Sequence, residues 1–342
     1  MKYSKKALIS FGAIFIIMFI AVTYELPYYI YKPGSADSLD NMIEIEDGYQ
    51  ATGEMHLVTV SGGQATPLEF LKAKFSDFQE VVPLKEVRPE GISDEEYMEY
   101  QLHLMDNSQH ASIAVAYEAA GKEVNLKNNG VYVVHVVEGM SAEDIVKPGD
   151  RITEVDGREI EESSEFVDYV KKKDEGEVLK LNIERDGETL NEEVEVSLFP
   201  DDPEEVGIGI QLVTNEEIEV DPPVNIKSGD IGGPSAGLMF SLEIYNQLTE
   251  KDITKGYNIA GTGAIDSDGN VERIGSIDKK VVAADEEGVE IFFAPNEQGV
   301  KGSNYREAKQ AAEKVGTSMK IVPVDTFDDA LEYLEKLQKH KG

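Results

Sequence analysis

Residues 229–238 read Gly229-Asp230-Ile231-Gly232-Gly233-Pro234-Ser235-Ala236-Gly237-Leu238. A serine sits in a tight glycine and proline frame, and an apolar run follows at once. Gly232, Gly233 and Pro234 suit neither a helix nor a strand interior, so the frame reads as a turn. The run Leu238-Met239-Phe240-Ser241-Leu242-Glu243-Ile244-Tyr245 reads as a mostly buried helix, with Leu238, Leu242 and Tyr245 on one face. Ser235 therefore stands where a turn becomes a helix. Unpaired N–H groups at such a start are suited to hold a developing negative charge on oxygen. Taken alone, the stretch reads more simply as a capped turn with Ser235 as the cap. A catalytic reading needs a partner elsewhere in the chain.

The chain has 342 residues, enough for two domains, and its 41% apolar content is enough for packed cores. Its 67 acidic and 32 basic residues give a net charge of −35. Such a surface repels phosphate backbones, which excludes nucleic acid as a partner. It suits a salty or alkaline exterior, where ions screen the self-repulsion. There is no cysteine, hence neither a disulfide nor a thiol nucleophile.

The segment Met1-Lys2-Tyr3-Ser4-Lys5-Lys6 is basic, and Ala7 to Val22 is apolar apart from Ser10 and Gly12. About 20 apolar residues span a bilayer, and this run is at the short end. A cleaved signal peptide is the rival, but Thr23-Tyr24-Glu25-Leu26-Pro27-Tyr28 is too bulky for a small-x-small cleavage site. Tyr24, Tyr28 and Tyr29 form an aromatic belt. The expectation is an uncleaved single-pass anchor over 1–24 in the cell membrane. Lys2, Lys5 and Lys6 hold its N-terminus in the cytoplasm, and the catalytic part lies outside.

Residues 25–45, with Pro27, Pro33 and Gly34, read as a linker. Gly53 to Val60 reads as a strand, and residues 65–105 are rich in charge and helix formers. Met105 to Gly121 reads as a helix with a glycine end. Over 125–200 the texture changes to short strands and turns. Gly130 to Val137 is a strand, Lys147-Pro148-Gly149-Asp150 a turn, Asp156-Gly157 a hairpin signal and Phe166 to Lys172 a helix, with strands at Val178–Arg185 and Glu192–Val196. This order resembles a bacterial PDZ domain. The resemblance implies that an extended peptide adds as a strand to a sheet edge. The groove wall is expected at Gly130, Val131, Tyr132 and Val133, with Tyr132 and Val134 open to a plain core reading. Pro200 to Pro203 reads as a connector, and residues 205–342 alternate strands and helices in α/β fashion.

None of the five histidines (His56, His103, His110, His135 and His340) sits beside an acid in a triad-like setting, and no metal-ligand spacing occurs. No Gly-x-x-x-x-Gly-Lys-[Ser/Thr] pattern offers a nucleotide site. A serine without a histidine can use a lysine whose ammonium loses its proton on burial. Lys280 is the candidate, because it opens the apolar segment Val281-Val282-Ala283-Ala284, whereas Lys279 faces elsewhere. On spacing alone, a lysine in an apolar helix ordinarily snorkels to water.

The combination Gly-Pro-Ser-Ala-Gly-Leu, Thr262-Gly263, Ile274-Gly275 and Lys280-Val-Val-Ala-Ala resembles the protease domain of the Lon family. That resemblance implies Ser235 as nucleophile, Lys280 as general base and Thr262 as the residue that helps orient the lysine. It places Gly232, Gly233, Pro234 and Ala236 in the substrate and oxyanion loop, where the two glycines leave room for a substrate backbone. The family acid sits closer before the serine than Asp230, which leaves Asp230 without a role. The ATPase module is absent. The whole chain is similar to membrane-anchored, ATP-independent Lon-like PDZ proteases of Gram-positive bacteria, which cleave peptides or proteins outside the cell. The resemblance implies no cofactor and no metal, and leaves room for a homo-oligomer.

Leu57-Val58-Thr59-Val60 and Asn107-Ser108-Gln109-His110-Ala111-Ser112-Ile113-Ala114 look like the front of a Lon protease domain. The expected fold class is therefore α/β (α+β), with a protease domain built from 46–124 and 205–342 and a β-rich PDZ domain, 125–200, inserted in it. The rival function is a non-catalytic, membrane-anchored PDZ adaptor on a dead protease scaffold, or a chaperone.

Overall fold

The computed structural model describes residues 5–340 other than 89–92, 186, 200 and 201; the side chains of 5–10 and 202–204 also lie outside the description. In chain order, helix α1 (Lys5–Thr23) leads to strands β1 (Tyr28–Ser38) and β2 (Glu54–Gln64), helix α2 (Pro67–Ala73), strand β3 (Glu80–Pro83) and helix α3 (Asp94–Ala119). Strands β4 (Val124–Val136) and β5 (Arg151–Val155), helix α4 (Ser163–Val170) and strands β6 (Val178–Arg185), β7 (Glu188–Glu195) and β8 (Ile210–Val220) follow. Then come helix α5 (Gly237–Leu248), β9 (Asn258–Gly261), α6 (Ile277–Glu286), β10 (Ile291–Pro295), α7 (Asn304–Val315), β11 (Lys320–Val324) and α8 (Phe327–Lys336).

One six-stranded sheet runs β11-β10-β9-β2-β1-β3. Its β9, β10 and β11 are parallel, and β9 is parallel to β2 through Ile259↔Met55 and Gly261↔Leu57. Three of its strands precede the small β-rich body and three follow it. The buried helix α5 packs under this sheet with Met55, Leu57, Ile259, Ile291 and Phe293 in one core. On the other face Val58, Ala260, Val281, Ala284 and Phe292 form a second core with α6 and α7. The small body is an antiparallel sheet, β8-β4-β5-β6-β7, closed by α4 around Val131, Ile152, Phe166 and Ile183. Its two connections to the rest of the chain pair with each other: Val124 to Asn128 in β4 lie opposite Val220 to Glu216 in β8.

Several expectations are corrected. The linker expected over 25–45 contains β1, which pairs with both β2 and β3. Pro33 and Gly34 mark a bulge in it, where the register jumps from Pro33↔Val60 to Ala36↔Val58; an irregular ladder is where a strand tolerates a residue without an N–H. The helix expected from Met105 starts eleven residues earlier, at Asp94. Ser93 caps it, its Oγ accepting from Glu96 N at 3.1 Å while Glu96 Oε2 accepts from Ser93 N at 2.6 Å. The anchor expected over 1–24 is a separate matter, since it extends beyond the described residues; among those residues no helix is long and apolar enough to cross a membrane. The expected orientation signal of Lys2, Lys5 and Lys6 lies outside the described residues and side chains, as do Pro200 and Asp201 of the expected connector.

Glu243 is the one carboxylate of α5 held inside the first core. Gln247 Nε2 donates to its Oε1 at 2.7 Å, and burial pushes its pKa from 4.5 up to about 8, with Asp40 beside it acting in the same direction. Folding therefore favours the protonated form. That contribution to stability is complete below pH 4.5 and is lost as the pH rises through about 8. Glu243→Gln is expected to flatten the fall in the denaturation midpoint across this window; an unchanged slope would contradict it.

Candidate active site

The serine loop is fastened to α3 along its length. Gly233 N donates to Gln101 O at 2.7 Å. Ser108 Oγ donates to Pro234 O and Ser112 Oγ to Gly237 O, each at 2.9 Å. A Cβ on Gly232 would lie 2.6 Å from Gln101 Cβ, and Gly233 has a left-handed φ of 87°. The two glycines thus admit the loop against α3. Both also line the cleft beside Ser235, where they were expected to leave room for a substrate.

Ser235 is not a cap. Helix α5 is capped by Ala236, with no side-chain capping bond. The Ser235 carbonyl accepts from Thr262 Oγ1 at 2.9 Å and from Gly263 N at 3.0 Å. Leu238 N donates back to Gly263 O at 3.1 Å. Thr262, fully buried, therefore fixes the backbone of Ser235, and its hydroxyl reaches the serine carbonyl rather than Lys280 directly. The N–H groups of Ser235 and Ala236 have no backbone or side-chain acceptor among the described residues.

Lys280 Nζ lies 2.8 Å from Ser235 Oγ and donates to Val58 O at 2.8 Å. Lys280 is 4% exposed, and burial lowers its pKa from 10.5 to about 7. Among the described residues no carboxylate pairs with it. The adjacent Lys279 differs sharply: its Nζ is 2.8 Å from Glu80 Oε2 and 3.1 Å from Asp278 Oδ1. Two neighbouring lysines on one helix thus receive opposite environments, one ion-paired and one apolar. The turn before α6 makes this possible, with Ser276 in left-handed backbone at φ 55°.

Ser235 and Lys280 open into a cleft of about 1070 Å³ lined by β1, β2, the serine loop, Tyr97 and Met98. Val58 O points to Lys280. Backbone groups of alternate strand residues share an edge, so Val60 and Gly62 turn theirs the same way. Strand β9 pairs with β2 only as far as Leu57, so this part of the β2 edge borders the cleft without a further strand partner among the described residues.

The expected peptide groove is corrected. Gly130, Val131, Tyr132 and Val133 lie in β4, which is paired on both sides: Tyr132 is opposite Val213 of β8, and Val131 is opposite Ile152 of β5. Val131 and Val133 are core residues. The sheet's edge strands are β8 and β7; β8 is entered through Gly207-Ile208-Gly209-Ile210 and neighboured by α4, whose Ser163 N donates to Thr214 Oγ1 at 3.1 Å. An alternating Gly-Ile pair next to a strand was the sequence signal for it. The roles of Val58, Ser108 and Ser112 carried no local signal, because each acts through its backbone position or a long-range contact.

Comparison with known proteins finds two domain matches in the chain. Residues 186–336 match the Lon protease (S16) C-terminal proteolytic domain and residues 119–196 match a PDZ domain. The Lon protease of Campylobacter jejuni is 35% identical over 102 residues, 30% of this chain and 12% of that protein. The Lon protease of Malacoplasma penetrans is 33% identical over 151 residues, 44% of this chain and 18% of that protein. The PDZ domain of the SdrC-like protein from Listeria monocytogenes is 34% identical, over 25% of this chain and 88% of that one, with a TM-score of 0.23. The chain thus spans less than a fifth of the length of the curated Lon proteases it matches. Parts of the chain thus match a PDZ domain and a proteolytic domain of the Lon (S16) type. The matched segments cut across the observed sheets. Strand β7 falls in both, while β1, β2 and β3 precede both.

Thr262→Val removes one of two donors to the Ser235 carbonyl. A hydrogen bond of about 1–1.5 kcal/mol corresponds to about a tenfold fall in turnover. The pH midpoint of activity should stay where it is in the parent; a shifted midpoint would show that Thr262 acts on Lys280 instead.

Proposed function

We propose that this chain is an ATP-independent serine endopeptidase working through a Ser235–Lys280 dyad. The observation that carries this reading is the 2.8 Å approach of a buried, unpaired Lys280 amine to Ser235 Oγ. With a pKa near 7 the amine is substantially neutral at ordinary pH. It takes the proton of Ser235 as Oγ bonds to the peptide carbonyl carbon. The oxyanion then accepts from the N–H groups of Ser235 and Ala236. As the tetrahedral centre collapses, the lysine ammonium gives its proton to the leaving amine nitrogen. Water next attacks the acyl-serine with the same amine as base, which regenerates Ser235.

Substrate lies extended along the β2 edge in the cleft and pairs with Val60 and Gly62. A second extended segment adds to β8 beside α4, so the PDZ domain engages substrate or governs its access. The protease body is discontinuous, formed from segments on either side of the PDZ domain, a division supported by the sheet they share. The chain acts at a membrane surface outside the cell, held by α1, whose Phe11, Ile14 to Ile20 and Val22 are apolar and exposed.

Casein or peptide cleavage by the full chain tests the dyad. Ser235→Ala and Lys280→Ala should each lower turnover by roughly 10⁴-fold or more. Parent activity should rise with pH through about 7, as Lys280 loses its proton. Retained cleavage in either variant, or binding without cleavage by the parent, would contradict the proposal and favour an adaptor.

A further inference from the structure

Helix α2 is short but well built. Thr66 and Glu69 form a capping box, with Thr66 Oγ1 accepting from Glu69 N at 3.3 Å and Glu69 Oε2 accepting from Thr66 N at 3.2 Å. Its inner face is Phe70 and Ala73, packed with Leu26, Ile30, Ala65 and Val81. Its outer face is apolar too. At 100° per residue, Leu68, Leu71 and Phe75 fall within about 60° of one another, opposite that inner face. Leu71 is 56% exposed and Phe75 is 87% exposed. Phe75 N still donates to Lys72 O at 3.0 Å, so the helical turn reaches it. Three large apolar side chains held outward by an ordered helix need a cover.

The cover is identified by what adjoins them. Helix α1 packs against α2. The chain leaving α1 is stitched to the start of α2 by Leu26 N to Ala65 O and Ala65 N to Tyr28 O, each 2.8 Å. The Tyr28 ring sits 4.9 Å from Phe70. In α1 the apolar residues Phe11, Ile14, Phe15, Ile16, Ile17, Met18, Phe19, Ile20 and Val22 are all exposed, around the whole circumference. A helix apolar all round requires a non-aqueous medium. Tyr24 and Tyr28 are exposed at the junction between the two helices, as at a membrane–water boundary. The exposed Lys72 and Lys74 flank the outer face of α2, together with the exposed acids Glu69 and Asp77. A second copy is a poor occupant. Two chains of net charge −35 repel, and three side chains offer far less than the ~1,000 Å² a stable interface needs.

We infer that the outer face of α2 is a second lipid contact. Leu68, Leu71 and Phe75 enter the boundary between headgroups and acyl chains while α2 lies in the membrane plane. This rests on the reading above that α1 meets lipid, and it adds an orientation. Strand β1 turns Tyr28 and Ile30 toward α2, and Tyr29 and Tyr31 toward the cleft. The cleft therefore opens one strand away from the bilayer surface, and the segments it takes are those presented close to that surface.

The chain has no tryptophan, so Phe75→Trp creates a single fluorescent reporter. The full chain carrying it is mixed with phosphatidylcholine vesicles, free of net charge, containing brominated acyl chains. The expected result is a blue-shifted emission that the brominated lipid quenches. Val178→Trp, at a half-exposed site in the small sheet, should stay unquenched. Leu71→Glu added to Phe75→Trp should abolish the quenching while peptide turnover remains as in the parent. An unquenched Phe75→Trp on chains that have bound the vesicles overturns the α2 contact and leaves α1 as the anchor. A blue shift that grows with protein concentration without lipid overturns it in favour of a second copy. Failure of the full chain to bind vesicles overturns it together with the α1 reading. None of these results bears on the dyad, which the cleavage assay reads separately.

Discussion

One amine kept out of water organises this molecule. Lys280 Nζ donates to the Val58 carbonyl and lies beside the Ser235 hydroxyl, and the helix that carries it packs through Val281 and Ala284 into the core with Val58 and Ala260. An ammonium placed there would forfeit its hydration with no anion in return, so burial alone moves the pKa toward neutrality. Lys279 shows the alternative on the same helix turn. Held between Glu80 and Asp278, it is buried with its charge compensated. The difference lies in which acids reach each nitrogen and not in the lysines.

That environment requires parts far apart in the chain. Val58 belongs to β2, before the PDZ domain, while α5 and α6 come after it. The serine loop is held from one side by α3, through Gln101, Ser108 and Ser112, and from the other by Thr262 and Gly263. Helix α3 also contacts the PDZ domain, where the His103 ring lies 5.8 Å from that of Tyr132. One rigid helix therefore touches both the PDZ domain and the nucleophile loop. Tyr117 Oη extends the link by donating to Pro222 O at 2.6 Å, where the chain returns from the PDZ domain.

Much of this was legible in the sequence, and the limits have physical causes. Ser235 could be singled out because its glycine and proline frame is local, and Lys280 because the apolar run after it is local. Thr262 was visible as a residue but not as a donor to the Ser235 carbonyl, since that bond depends on how β9 meets the serine loop. The peptide edge was misplaced for a related reason. Val131 and Val133 have the alternation of an edge strand, but strand order is a long-range property, and β8 arrives some eighty residues later to cover β4. Residues 25–45 read as a linker because Pro33 and Gly34 are turn residues by composition; in the fold they relieve a bulge, with Gly34 so close to Thr59 that a Cβ would lie 2.3 Å from its Oγ1. The excess of acids decides surface chemistry and partners, and says little about the fold.

The central claim is that Lys280 is a neutral amine within reach of Ser235 at the pH where the protein works. The direct measurement is the titration of its side chain by NMR, following the 13Cε shift in full chain with labelled lysine and assigning the signal by its loss in Lys280→Arg. The account predicts a midpoint near about 7. A midpoint near the ordinary lysine value of 10.5 would contradict it.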